Sequence, residues 1–209
     1  MSRYSPRERL TNTTSTSVVA NWFGNQFVSV PGSFESISTV TVGSGGSTSG
    51  IEFTNIPSTY THLQIRGIAR ETVTAGNYTS LYIYLNGDTA NNYSAHYLAG
   101  NGASASAYAW ANNSGILGSF LTAADAIASN FGVFIVDILD YANTNKYKIT
   151  RTLNGFDNNG TGATDFNKGA VSLSSGNWRS TNAITSIKLT GPSTLAQYST
   201  FALYGIKGA

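Results

Sequence analysis

LQIRGIAR at residues 63–70 alternates strictly. Leu63, Ile65, Gly67 and Ala69 fall on one side, Gln64, Arg66, Ile68 and Arg70 on the other. A period of two is the side-chain period of an extended strand with one face turned to a core. LYIYL (81–85) repeats the pattern, setting Leu81, Ile83 and Leu85 opposite Tyr82 and Tyr84. It runs into Asn86-Gly87-Asp88, turn chemistry that suits a hairpin. KYKITRTLNG (146–155) alternates Tyr147, Ile149, Arg151 and Leu153 with Lys146, Lys148, Thr150 and Thr152. FGVFIVDIL (131–139) is apolar on both faces and reads as a central strand. AITSIKL (183–189) and YSTFALYGI (198–206) add two more strands, with weaker ones at 36–42, 51–56, 94–98, 104–110 and 170–174. Glycine-rich breaks at 43–50, 99–104, 112–115 and 158–162 separate them. Only LTAADAIAS (121–129) has helix-forming composition. Short strands at a spacing of about 10 residues predict an all-β chain, an antiparallel β-sandwich or barrel.

Residues 1–32 differ from this body, which occupies 33–209. A basic tip holds Arg3, Arg7 and Arg9 against Glu8, and accounts for the whole formal charge of +2. Beyond it nine basic residues balance nine acidic ones. A neutral body with a basic tip lacks the broad positive face of a nucleic-acid binder. Val18, Val19, Trp22, Phe23, Phe27 and Val28 then form an apolar cluster before Pro31-Gly32. The expectation is an extended N-terminal arm that docks on a partner through these residues and the three arginines. Its apolar run is interrupted by Asn21, Gly24, Asn25 and Gln26, and is read as neither a leader nor a membrane anchor.

Charged residues make up 11% of the 209-residue chain, against about a quarter in ordinary soluble proteins. Ser, Thr, Asn and Gly fill the gap, and aromatics reach 12%. The absence of cysteine excludes disulfide scaffolds, thiolate metal sites and cysteine nucleophiles. The two histidines, His62 and His96, have no zinc-type spacing. Asp137 and Asp140 could serve as a glycosidase-like acid pair only if another strand supplied the geometry, and they read more simply as solvated or lysine-paired acids. DNNGTGATD (157–165) lacks the calcium-loop spacing and reads as a loop. No glycine-rich segment leads from a strand into a helix, so no phosphate cradle is expected. The expectation is a chain without catalytic residues, cofactor or metal. Trp110, Trp178, Tyr82 and Tyr84 are the candidate sugar-stacking residues.

Two stretches carry a family resemblance. FTNIPSTYTHLQIRGIAR (53–70) resembles a segment of tailed-bacteriophage virion proteins, in which Asn-Ile-Pro and a Tyr precede His-Leu-x-Ile-Arg at a strand entrance. ITSIKLTGPSTLAQYSTFALYGIKGA (184–209) is similar to the ending of phage tail, fibre and decoration proteins. The resemblance implies a jelly-roll-like sandwich, frequently homotrimeric, and a structural rather than enzymatic role in the virion, with assembly in the host cytoplasm. The implied partners are capsid or tail-adaptor subunits, with decoration (cement) slightly ahead of a short tail fibre. The alternative is a receptor-binding module for host surface carbohydrate. Neither nucleic acid nor membrane is an expected partner.

Overall fold

The computed structural model describes residues 32–74, 76–160 and 166–208, together with the strand pairing of 17–20 and 27–30. Its described strands are β1 (Ser17–Ala20), β2 (Phe27–Val30), β3 (Phe34–Thr41), β4 (Ile51–Phe53), β5 (His62–Ala69), β6 (Tyr78–Leu85) and β7 (Tyr93–Gly100). They continue with β8 (Ala105–Asn113), β9 (Ile116–Thr122), β10 (Gly132–Leu139), β11 (Lys148–Asp157), β12 (Gly169–Trp178), β13 (Ile187–Thr190) and β14 (Thr200–Ile206). Eight form one antiparallel sheet in the order β3-β14-β5-β10-β11-β12-β7-β8. Four form a smaller antiparallel sheet, β4-β13-β6-β9. The two sheets make a β-sandwich, one of the two architectures the alternation predicts. Among the described strands β1 and β2 pair with each other, Val19 opposite Val28 and Ala20 opposite Phe27.

The core lies between the sheets. Leu63 and Ile65 of β5, Phe134, Val136 and Ile138 of β10, and Phe201 and Leu203 of β14 meet Ile51, Phe53, Leu81, Ile83, Leu85, Ile187 and Leu189 of the small sheet. Gly67 is on the buried side because the Phe134 ring lies directly over it, leaving no room for a Cβ. The two segments that carry the family resemblance are neighbours in space. β5 pairs with β14, Ile65 opposite Leu203, and Phe53 of β4 lies opposite Ile187 of β13.

Four expectations need correction. Asn86 and Gly87 do form a tight turn, both with positive φ and closed by Asp88 N–H donating to the Leu85 carbonyl at 3.0 Å. However, the turn does not make a hairpin, because β6 belongs to the small sheet and β7 to the large one. Asn86 instead anchors the entrance to β13, its Oδ1 accepting from the Thr185 and Ser186 N–H groups.

Residues 121–129 form no helix. Their carbonyls turn toward one cation: Arg70 donates to the carbonyls of Ala124, Ala126, Ile127 and Asn130 at 2.7–3.0 Å. Those bonds replace the i→i−4 ladder.

β10 is central in hydrogen bonding, but only one face is buried: Phe134, Val136 and Ile138 point inward while Val133, Ile135 and Leu139 are exposed. Finally, β9 is a strand that the alternation does not mark, and every residue in it is buried.

β9 explains an inverted pattern in its neighbours. It lies against β11 and β12, which turn Thr150, Thr152, Ser172, Ser174 and Gly176 inward. Ile116 of β9 sits on Gly176, where a Cβ would collide with it. Small side chains let β9 approach closely, and the branched residues of β11 and β12 are turned to the outside.

Candidate functional site

Two surface features stand out. The first is a groove of about 400 Å³ around the β8–β9 connection. β8 is the outer strand of the larger sheet and extends past the smaller one, so nearly all its residues are exposed on both faces. Tyr82 and Tyr84, on the side of β6 away from the core, line the groove together with Tyr97 of β7, Trp110 of β8 and Phe120 of β9. Tyr97 and Trp110 have ring centroids 5.3 Å apart, and Tyr108 stacks on Trp110 at 6.2 Å. Tyr97 also meets Phe120 edge-to-face at 5.4 Å. The Tyr84 ring lies over Gly115, which has no side chain to displace it. Burial, with Tyr108 and Tyr78 nearby, raises the Tyr97 phenol above its usual range, so it stays a neutral donor at physiological pH. Asn113, Ser114 and Ser80 complete the wall with amide and hydroxyl groups. Flat rings beside short polar groups suit a ligand with alternating C–H faces and hydroxyls.

Three of the four expected sugar-stacking residues therefore converge, and Tyr97 joins them although its place in the sequence does not single it out. Trp178 does not belong. It is 2% exposed, stacks on Tyr93 and donates its indole N–H to Asp88 at 2.7 Å. As the inward-facing end of β12 it is core, and its assignment as a glycan contact is withdrawn.

The second feature is the outward face of the larger sheet. Ile68, Val133, Ile135, Leu139, Ile149 and Leu153 are exposed there, with Val171, Leu173 and Leu98 continuing it. Leu153 is 54% exposed, Leu173 49% and Leu98 58%. Each of the nine is 37–58% exposed, and the polar row Gln64, Asp137, Arg151, Ser175 runs between Leu139 and Ile149 on one side and the others. Asp137 lies on this face. It accepts from Arg151 Nη2 and Gln64 Nε2, each at 2.8 Å. Burial pushes its carboxyl up, but the bonds from Arg151 and Gln64 and the Arg151 and Arg66 charges outweigh this and leave it below the usual range. An acid held ionised in this way is a poor proton donor, which argues against the general-acid role that a glycosidase would need. Asp140 pairs with Lys146 at 2.6 Å.

His62 accepts from the Asp140 N–H through Nδ1 at 3.1 Å, and His96 is exposed on β7. Among the described residues no three His, Asp or Glu side chains are grouped to hold a metal ion, and no helix is long and apolar enough to cross a membrane. Of the expected docking residues, Val18 and Val19 lie in β1 and Phe27 and Val28 in β2. Arg3, Arg7, Arg9, Trp22 and Phe23 lie outside the described residues. No protein-family model, curated protein or solved structure matches the chain.

Proposed function

We propose that the chain is a non-enzymatic structural subunit of a tailed-phage particle. It docks on the head shell or tail through residues 1–32 and displays the sandwich outward, with decoration preferred to a short tail fibre. The observation that carries an assembly role is the outward apolar face of the larger sheet: a sheet facing only water would set polar residues there. The phage assignment rests on the resemblance of 53–70 and 184–209. Its support is that these segments pair with each other in both sheets and so describe one structural unit rather than two scattered similarities. The jelly-roll-like wiring belongs to the same proposal.

Deleting residues 1–30 is expected to leave a folded β domain by circular dichroism that no longer co-sediments with particles lacking this subunit. Undiminished co-sedimentation of the truncated chain would refute the docking role.

A second reading, recognition of host surface carbohydrate, is favoured by the convergence of Tyr82, Tyr84, Tyr97 and Trp110 on one groove. It expects hits on a glycan array that weaken about tenfold in Trp110→Ala, the loss of one stacked ring being worth about 1.4 kcal/mol. A purely structural subunit gives no hit.

A further inference from the structure

We infer that the outward face of the larger sheet is where this chain meets a second copy of itself. The inference deepens the structural-subunit reading and rests on it. The register of the sheet places Ile135, Leu153, Leu173 and Leu98 directly opposite one another on β10, β11, β12 and β7. At the ~4.8 Å spacing of strands they form a ridge of branched side chains about 14 Å long. The rows on either side differ from it in chemistry and height. One runs Val133, Gly155, Val171, Gly100, and its two glycines border a hollow of about 600 Å³. The other is polar and runs Asp137, Arg151, Ser175, His96, with the Arg151 guanidinium drawn onto Asp137, and with Ala107 and Ala109 of β8 it borders a hollow of about 570 Å³. A ridge flanked by hollows is a relief that an identical face can mesh with, as facing sheets do inside a sandwich at about 10 Å separation.

Area and charge both point to a copy of the chain rather than to an unrelated partner. Nine apolar side chains, each 37–58% exposed, give the face the kind of area that a stable interface, burying ~800 Å² per partner, draws on. The face also brings its own counter-charge. Asp137 is paired with Arg151 on the adjacent strand, and the Arg66 guanidinium lies over the stacked rings of Phe34 and Tyr204 at 5.3 and 5.7 Å. A like face can therefore approach without an unmatched carboxylate being buried. A partner recognised by charge would have needed a field of one sign, and the face has none.

The absence of native cysteine makes the test direct. The full chain is first measured by sedimentation equilibrium, where a dimer is expected, since a face that meshes with its own copy closes on two chains. Leu153→Glu is expected to shift it to monomer while its β circular dichroism is retained. Leu153→Cys is then expected to form intersubunit disulfides under mild oxidation, whereas Glu52→Cys, an exposed position on the small sheet, is not. A wild-type chain that stays monomeric, or equal cross-linking of the Leu153→Cys and Glu52→Cys variants, would overturn the inference. So would a wild-type monomer that associates only after residues 1–30 are removed, which would assign the face to the arm instead. A monomeric chain that still binds particles would overturn self-association alone and leave the structural-subunit reading standing.

Discussion

Lys148→Met is expected to cost about 3 kcal/mol of folding stability, read as a lower urea midpoint at unchanged m-value. Lys148 opens β11 facing inward, and no part of it is exposed. Its ammonium is held by three backbone carbonyls, those of Asn143 at 2.5 Å, Lys146 at 2.8 Å and Thr181 at 3.2 Å. The site joins the β10–β11 connection to the segment after β12. Each charge-assisted bond of this kind contributes about 1.5–3 kcal/mol. Methionine keeps most of the stem and removes all three bonds. The cost stays below the sum of three such bonds because residues 146 and 181 are themselves exposed and water can reach their carbonyls. Hydrogen exchange should accelerate first in 141–147 and 179–183. Burial lowers the lysine's pKa, with Asp140 opposing it, so arginine, which keeps its charge but needs more room, should not rescue the variant. A change below about 0.5 kcal/mol would show that the carbonyls do not depend on the ammonium.

Glu71→Gln is expected to have the opposite sign and to depend on pH. Glu71 follows β5 and is fully buried. Its Oε2 accepts from the Thr79 hydroxyl at 3.2 Å, and the carboxyl rests on Gly191 so closely that a Cβ there would overlap it. Burial pushes its pKa up from 4.5 to about 7, against the opposing pull of hydrogen bonds from Thr79 and the Ser193 backbone. An acid whose pKa is higher folded than unfolded gives its full stability below the unfolded value. That stability is lost as pH rises from about 4.5 through about 7, and the loss is complete above. A separation of about 2.5 units amounts to about 3 kcal/mol. The stability of Glu71→Gln minus that of the wild type should therefore grow from near zero at about pH 4.5 to about 3 kcal/mol at about pH 8. Urea unfolding across that range measures it. A pH-independent difference would mean that the carboxyl titrates normally in the fold.

Neither residue is conspicuous in the sequence. Lys148 sits in an alternating strand where a lysine suggests the wet side, and Glu71 follows an arginine at a strand end. The groove is partly legible. Tyr82 and Tyr84 can be assigned to the outward side of β6 because Leu81, Ile83 and Leu85 identify the inner one, and Trp110 is recognisable as a large ring on a weak strand. Tyr97 is not, since its exposure depends on how far β8 extends past the smaller sheet. Trp178 misleads for the same kind of reason: a tryptophan at a strand end can be core or surface, and Tyr93 and Asp88, which enclose it, are distant in sequence.

The sequence by itself determined that the chain is all-β and antiparallel, a sandwich or a barrel, because period-two patterning and glycine breaks are local properties that no distant contact needs to supply. It also located the strands that line the core on β5, β6 and β14. Only the tertiary structure decided which face of β11 and β12 turns inward. Alternation defines two faces but not their direction, and here the direction is set by β9, which needs Ser, Thr and Gly beneath it to come close. That long-range packing demand turns Ile149, Leu153, Val171 and Leu173 outward and creates the apolar face on which the proposed assembly rests.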